Sequence, residues 1–107
     1  MATGRLYTGA PAATTVTPTY TVPTGYYAVI NVSITNTNTT PVTVRLAACA
    51  NPASPQASEY IEYESTIIPR GVLERTGLVL QPNAGMVAYV STTGVNVNVW
   101  GIETSTT

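Results

Sequence analysis

The chain has 107 residues, four arginines and five glutamates for a net charge of −1, and no lysine, aspartate or histidine. With 8% of its residues charged, against roughly a quarter in ordinary soluble proteins, it lacks the cations that nucleic-acid binding needs. It also lacks the histidine of Ser-His-Asp or Cys-His catalysis. A hydrophobic share of 44% belongs to a globular chain rather than a disordered one, and the length fits one domain with a thin two-layer core.

Threonine fills nearly one position in five, and a β-branched side chain sits more comfortably in a pleated strand than in a helix. Residues 1–13 are rich in Gly, Ala, Thr and Pro, with Leu6 and Tyr7 the only large apolar side chains after Met1. They read as an extended N-terminal arm, either frayed or docked on a neighbour through Leu6 and Tyr7. The main domain is expected over residues 14–103. Its first strand, Thr14 to Val22, contains Pro18, which has no N–H for a central ladder and places the strand at an edge.

Pro23-Thr24-Gly25 turns the chain into the most regular stretch. Tyr26, Ala28, Ile30, Val32 and Ile34 alternate with Tyr27, Val29, Asn31, Ser33 and Thr35, the period of a half-buried strand at the centre of a sheet. After a polar turn to Pro41, Val42, Val44, Leu46 and Ala48 alternate with Thr43, Arg45 and Ala47, and this strand is expected to pair antiparallel with the one before it. An irregular loop from Ala50 to Ser58 precedes a strand over Tyr60 to Ile68. The turn Pro69-Arg70-Gly71 then leads to Val72–Leu80, where Gly77 marks a bulge or a close backbone approach. Two more strands, Met86–Ser91 and Val95–Ile102, are joined by Thr92-Thr93-Gly94 read as a hairpin, and residues 104–107 read as a loose polar tail.

About seven strands with turn signals every eight to twelve residues or so predict an all-β antiparallel sandwich, jelly-roll-like or Ig-like in topology. No stretch reaches the roughly 20 apolar residues of a membrane span, and residues 1–15 hold no apolar run of secretory type. The expected partners are therefore neither membrane nor nucleic acid, and the expected site of synthesis is the cytoplasm of the producing cell. Cys49, the single cysteine, reads as a small buried or half-buried apolar side chain near a strand end.

No reaction chemistry emerges, and no cofactor or metal site is expected. Glu62 and Glu64 read as a solvated face, or as partners of Arg45 or Arg75 across a strand or an interface. A surface of hydroxyls, amides and phenols loses little side-chain entropy when covered, and the low net charge does nothing to keep copies apart. These features predict a domain that works as one copy in a symmetric assembly. Leu6, Tyr7, Tyr27, Arg45, Tyr60, Glu62, Glu64 and Arg70 are the candidate interface residues. A carbohydrate-binding module, with Tyr20, Tyr26, Tyr27, Tyr60 and Trp100 stacking on sugar rings, is the reading from a different class.

The run Tyr20-Thr21-Val22-Pro23-x-Gly25, the Asn-x-Ser-Ile-x-Asn at Asn31 to Asn36, and Val42-Thr-Val-Arg45-Leu46 resemble small structural proteins of tailed bacteriophages. So do Glu59-Tyr60-Ile61-Glu62-Tyr63-Glu64, Leu73-Glu74-Arg75-Thr76-Gly77-Leu78-Val79-Leu80 and Val99-Trp100-Gly101-Ile102-Glu103. The resemblance spans about residues 16 to 103 and lies in turns and apolar positions. It implies a β-sandwich virion component: a capsid decoration (cement) protein, often trimeric, on the capsid surface against the major capsid protein. Its alternative is a tail, neck or fibre-associated subunit among other virion proteins.

Overall fold

The computed structural model describes residues 3–106; Met1, Ala2 and Thr107, at the ends of the expected arm and tail, lie outside the described residues. Eight strands follow one another: β1 (Thr3–Gly9), β2 (Thr17–Thr21), β3 (Tyr26–Asn36), β4 (Val42–Cys49), β5 (Tyr60–Ile67), β6 (Val72–Leu80), β7 (Gly85–Val90) and β8 (Val95–Ser105). A single 3-10 turn, Ala57–Glu59, precedes β5. The strands form two four-stranded sheets, a front sheet in the order β1-β8-β3-β6 and a back sheet in the order β2-β7-β4-β5.

Every pairing between neighbouring strands is antiparallel. The pairs β1·β8, β2·β7, β3·β6 and β4·β5 are those of one long ribbon folded at the loop between β4 and β5. Rolling that ribbon up brings β8 against β3 and β7 against β4. This is the jelly roll, with the two sheets stacked face to face, and it decides between the two expected topologies.

Period-two alternation positions the core. Ala28, Ile30, Val32 and Ile34 of β3 and Val95, Val97 and Val99 of β8 point inward from the front sheet, against Val42, Val44 and Leu46 of β4 and Met86, Ala88 and Val90 of β7. All are buried. The strand read as central, β3, is an interior strand bonded on both sides over its length, and the Pro18 strand β2 is an edge. Gly77 sits at φ +69, and its N–H donates to Asn31 Oδ1 at 3.1 Å where the β3·β6 register shifts.

Four expectations need correction. The segment read as an arm supplies an eighth strand, with β1 pairing along β8 of its own chain. A register shift between Arg5 and Tyr7 lets Leu6 and Tyr7, both half-buried, pack against this chain's own core. The tail is not loose through Ser105, because Thr104 and Ser105 pair with Tyr27 and Tyr26. The strands β3 and β4 do not pair with each other, and neither do β7 and β8: each two lie in opposite sheets. The turns at 37–41 and 91–94 are therefore crossings between sheets and not hairpins.

Three polar ties hold the layers in place. Asn36 is fully buried, and its Nδ2 donates to the carbonyls of Thr40 at 2.9 Å, Ile68 at 3.2 Å and Ile67 at 3.3 Å. Its Oδ1 accepts from the Asn38 N–H at 2.9 Å, so one amide joins two crossings. At the opposite end, the hydroxyl of Tyr20 in the back sheet donates to buried Glu103 of the front sheet at 2.5 Å. Burial, and then the adjoining carboxylate, pushes the Tyr20 phenol well above its ordinary range. Between the edge strands β5 and β6, Arg75 is paired with Glu62. Arg75 is an inward-turned charge on an edge strand, a device that discourages further strand pairing.

Gly101 lies opposite Ile30 in the β3·β8 ladder, and a Cβ there would collide with the Val29 carbonyl and crowd Ile30 Cα. Gly101→Ala should destabilise the domain by about 1–3 kcal/mol, read as a lower urea midpoint at unchanged m-value. Asn36→Ala should cost a similar amount, roughly 1–3 kcal/mol, because the carbonyls it serves are left buried without their donor.

Candidate functional site

On the outer face of the back sheet the side chains converge on Arg45. Between Val44 and Leu46 the β4·β5 register jumps from Ser65 to Glu62, a bulge that sets Tyr63 and Glu64 both opposite Arg45. Glu64 takes φ 53 to make that bend. The Arg45 guanidinium lies 4.6 Å from the Tyr63 ring centre and 4.4 Å from that of Tyr89, while its Nε donates to Glu64 Oε2 at 2.6 Å. Tyr60 meets Tyr63 edge to face at 5.3 Å. A cation between two phenol rings with its charge matched by a carboxylate is a rigid amphipathic patch, and Tyr63 at its centre is 61% exposed.

Beside this patch, at the loop between β4 and β5, Ala47, Cys49 and Val87 form a small buried cluster against which Tyr60 packs. Glu59 organises the loop by accepting the N–H groups of Ala50 and Gln56, each at 3.0 Å. Those bonds hold its carboxyl below the usual range. The Cys49 thiol is pushed up to about 11 by burial and by the same carboxylate, which makes it a poor nucleophile. Glu62 is likewise held low, first by the Ser65 hydroxyl, which donates at 2.5 Å, and also by Arg75.

The outer face of the front sheet is organised in cross-strand rows. Ile102, Val29 and Val79 stand side by side on β8, β3 and β6, each more than a third exposed, and exposed Tyr27 follows next along β3. The neighbouring rows are polar: Arg5, Trp100 and Asn31, then Thr8, Asn98, Ser33 and Glu74. A shallow hollow of about 520 Å³ opens among Gly4, Arg5, Ser33, Asn98, Val99 and Trp100.

The candidate interface residues do not form one site. Arg45, Tyr60 and Glu64 come together on the back face, and Tyr27 lies on the front face. Glu62 faces Arg75 at the open side, Leu6 and Tyr7 turn inward, and Arg70 is exposed in the turn between β5 and β6 at φ 60. The expected pairing of Glu62 and Glu64 with the arginines is present, although the bulge sends the two carboxylates to different partners. The expected aromatic platform is dispersed: Tyr20 is buried, Tyr26 packs on the core, and Tyr60 lies on the opposite face from Tyr27 and Trp100. The apolar row was not anticipated. Its signal in the sequence is a hydrophobic residue out of phase, Val29 beside Ile30 and Val79 between Leu78 and Leu80.

Among the described residues no group of three or more Cys, Asp, Glu or His side chains is placed to hold a metal ion. No helix is long and apolar enough to cross a membrane. The architecture and surfaces together define an eight-stranded jelly-roll domain with two chemically distinct outer faces. Comparison with known proteins finds no matching family model, no similar curated protein and no similar solved structure.

Glu59 and Glu62 set the acid limb of stability. A carboxyl depressed by folding adds stability that is present above its unfolded pKa and lost as pH falls through its folded value. The melting temperature should hold steady from neutral pH down to about pH 5 and fall below about pH 4.3, the ordinary glutamate value. Glu62→Gln should lower the plateau and flatten that fall, measured by calorimetry across the pH series.

Proposed function

We propose that the protein is a non-enzymatic structural subunit of a tailed-phage virion, a decoration (cement) protein on the outside of the capsid that bridges neighbouring coat subunits. The observation that carries this reading is the distribution of exposed apolar and aromatic side chains over several sides of the domain. Tyr63 lies on the back face, Tyr27, Val29, Val79 and Ile102 lie on the front face, and Ile68 and Val16 lie on the connections. A monomer acting alone seldom leaves so many sides uncovered, whereas a bridging subunit needs at least two contact surfaces. The rigid aromatic-arginine patch suits such a contact, because Tyr and Arg order at low entropic cost and dominate interface energetics.

Each copy binds the assembled lattice and not the free coat subunit, so its binding free energy adds to shell stability by mass action. Self-association multiplies a modest single-site affinity by avidity. The surface that meets the major capsid protein on this reading is the back face with the adjoining β5–β6 turn, built from Tyr63, Arg45, Tyr89, Ile68 and Arg70. The N-terminal segment pairs with β8 of its own chain and lies outside this contact on the same reading.

Tyr63→Glu and Ile68→Glu should each lower occupancy on purified shells by about tenfold while leaving the far-UV spectrum unchanged. Quantitative mass spectrometry of particles should count hundreds of copies. A count of a few threes or sixes would assign the protein to the tail or neck instead, and its absence from particles would end the virion reading.

A further inference from the structure

The charged residues of this domain are few enough to be followed one by one. Arg45 is paired with Glu64 and Arg75 with Glu62, Glu59 is taken up by its loop, and Glu103 is bonded to Tyr20. Among the described residues, Arg5, Glu74 and Arg70 make no side-chain hydrogen bond or ion pair. Arg5 and Glu74 lie on the same outer face, Arg5 on the edge strand β1 and Glu74 on the opposite edge strand β6. Three strand spacings separate those edges, roughly 14 Å, too far for the two to meet within one chain.

We infer that the front face is a twofold interface between two copies of this chain. A rotation axis parallel to the strands, above the β8·β3 boundary, carries β1 over β6 of the second copy and β8 over its β3. Arg5 of each copy then stands over the edge that holds Glu74 of the other, offset by one row of side chains, roughly 7 Å along the strand, within an arginine's reach. The same operation lays Ile102 and Val29 on the other copy's Val29 and Ile102, so the centre of the apolar row meets itself. Trp100 and the hollow beside Arg5 fall close to the axis, where the second copy's β3 and β6 side chains fill the space. An isologous contact requires such a self-complementary arrangement.

Four strand spacings by about seven residue rises gives on the order of 500 Å² per copy. That is near the lower limit for a specific interface, so the dimer belongs in the micromolar range. The inference deepens the self-association in the reading above and needs no shell for its test.

Sedimentation equilibrium of the full chain from micromolar to near-millimolar concentration should follow a monomer–dimer curve. Emission from Trp100, the only tryptophan, should shift over the same range. Arg5→Glu and Glu74→Arg should each weaken dimerisation by about tenfold or more, since like charges then face each other, and the double reversal should restore it to within about threefold. Both positions are exposed, so circular dichroism serves as the folding control. A chain that stays monomeric, forms a trimer, dimerises equally well with either single reversal, or fails to recover in the double variant overturns the proposal. If the dimer forms as described but shells remain bare, the decoration reading fails while this interface stands.

Discussion

The fold depends on the ladder between β3 and β8. It runs from Tyr26↔Ser105 to Asn36↔Val95 without a register shift, and it joins a strand from the first third of the chain to the last one. The inward side chains of these two strands form the front half of the core. On their outer sides they carry β6 and β1, so both edges of the front sheet inherit their position from this pairing. Gly101 shows how closely the two backbones approach, because its place opposite Ile30 leaves no room for a Cβ.

Rolling a ribbon into two layers sends most connections across the gap between the sheets, and such crossings expose backbone groups that no ladder satisfies. The domain answers with short-range polar bonds in place of charge. Asn36 gathers carbonyls from two connections, Asn38 Nδ2 reaches the Thr93 carbonyl of a third at 2.8 Å, and Thr37 bonds Gly94 through both its N–H and its hydroxyl. One end of the barrel-like body is thereby sewn together with asparagine and threonine. The abundance of these residues serves the ends of the sandwich as well as its surface.

Strand identity was legible because burial imposes period two, and β3, β4 and β8 show it plainly in their residues. The edge role of β2 was legible from Pro18, which cannot donate to a ladder. Pairing was not legible. Asn-, Pro- and Gly-rich turns have the same composition whether they close a hairpin or cross between sheets, so the turns at 37–41 and 91–94 gave no sign of which they were. The first strand was hidden because glycine occupies both Gly4 and Gly9 and only Leu6 and Tyr7 are large and apolar, with a bulge that breaks the alternation at that point. The arginine–glutamate pairs were anticipated by chemistry, but the bulge at Glu64 that separates Glu62 from Glu64 depends on backbone conformation, and no residue type announces it.

The pairing of the first strand with the last has a bearing on biosynthesis. While the chain is still emerging from the ribosome, β4 and β5 are the only sequence-adjacent strands that can zip together at once. The segment Thr3–Gly9 must wait for Val97 to Ile102 before it has anything to bond. Contacts of such long sequence separation slow folding and leave sticky intermediates exposed. The β1 edge of the front sheet is therefore completed only once β8 has been made.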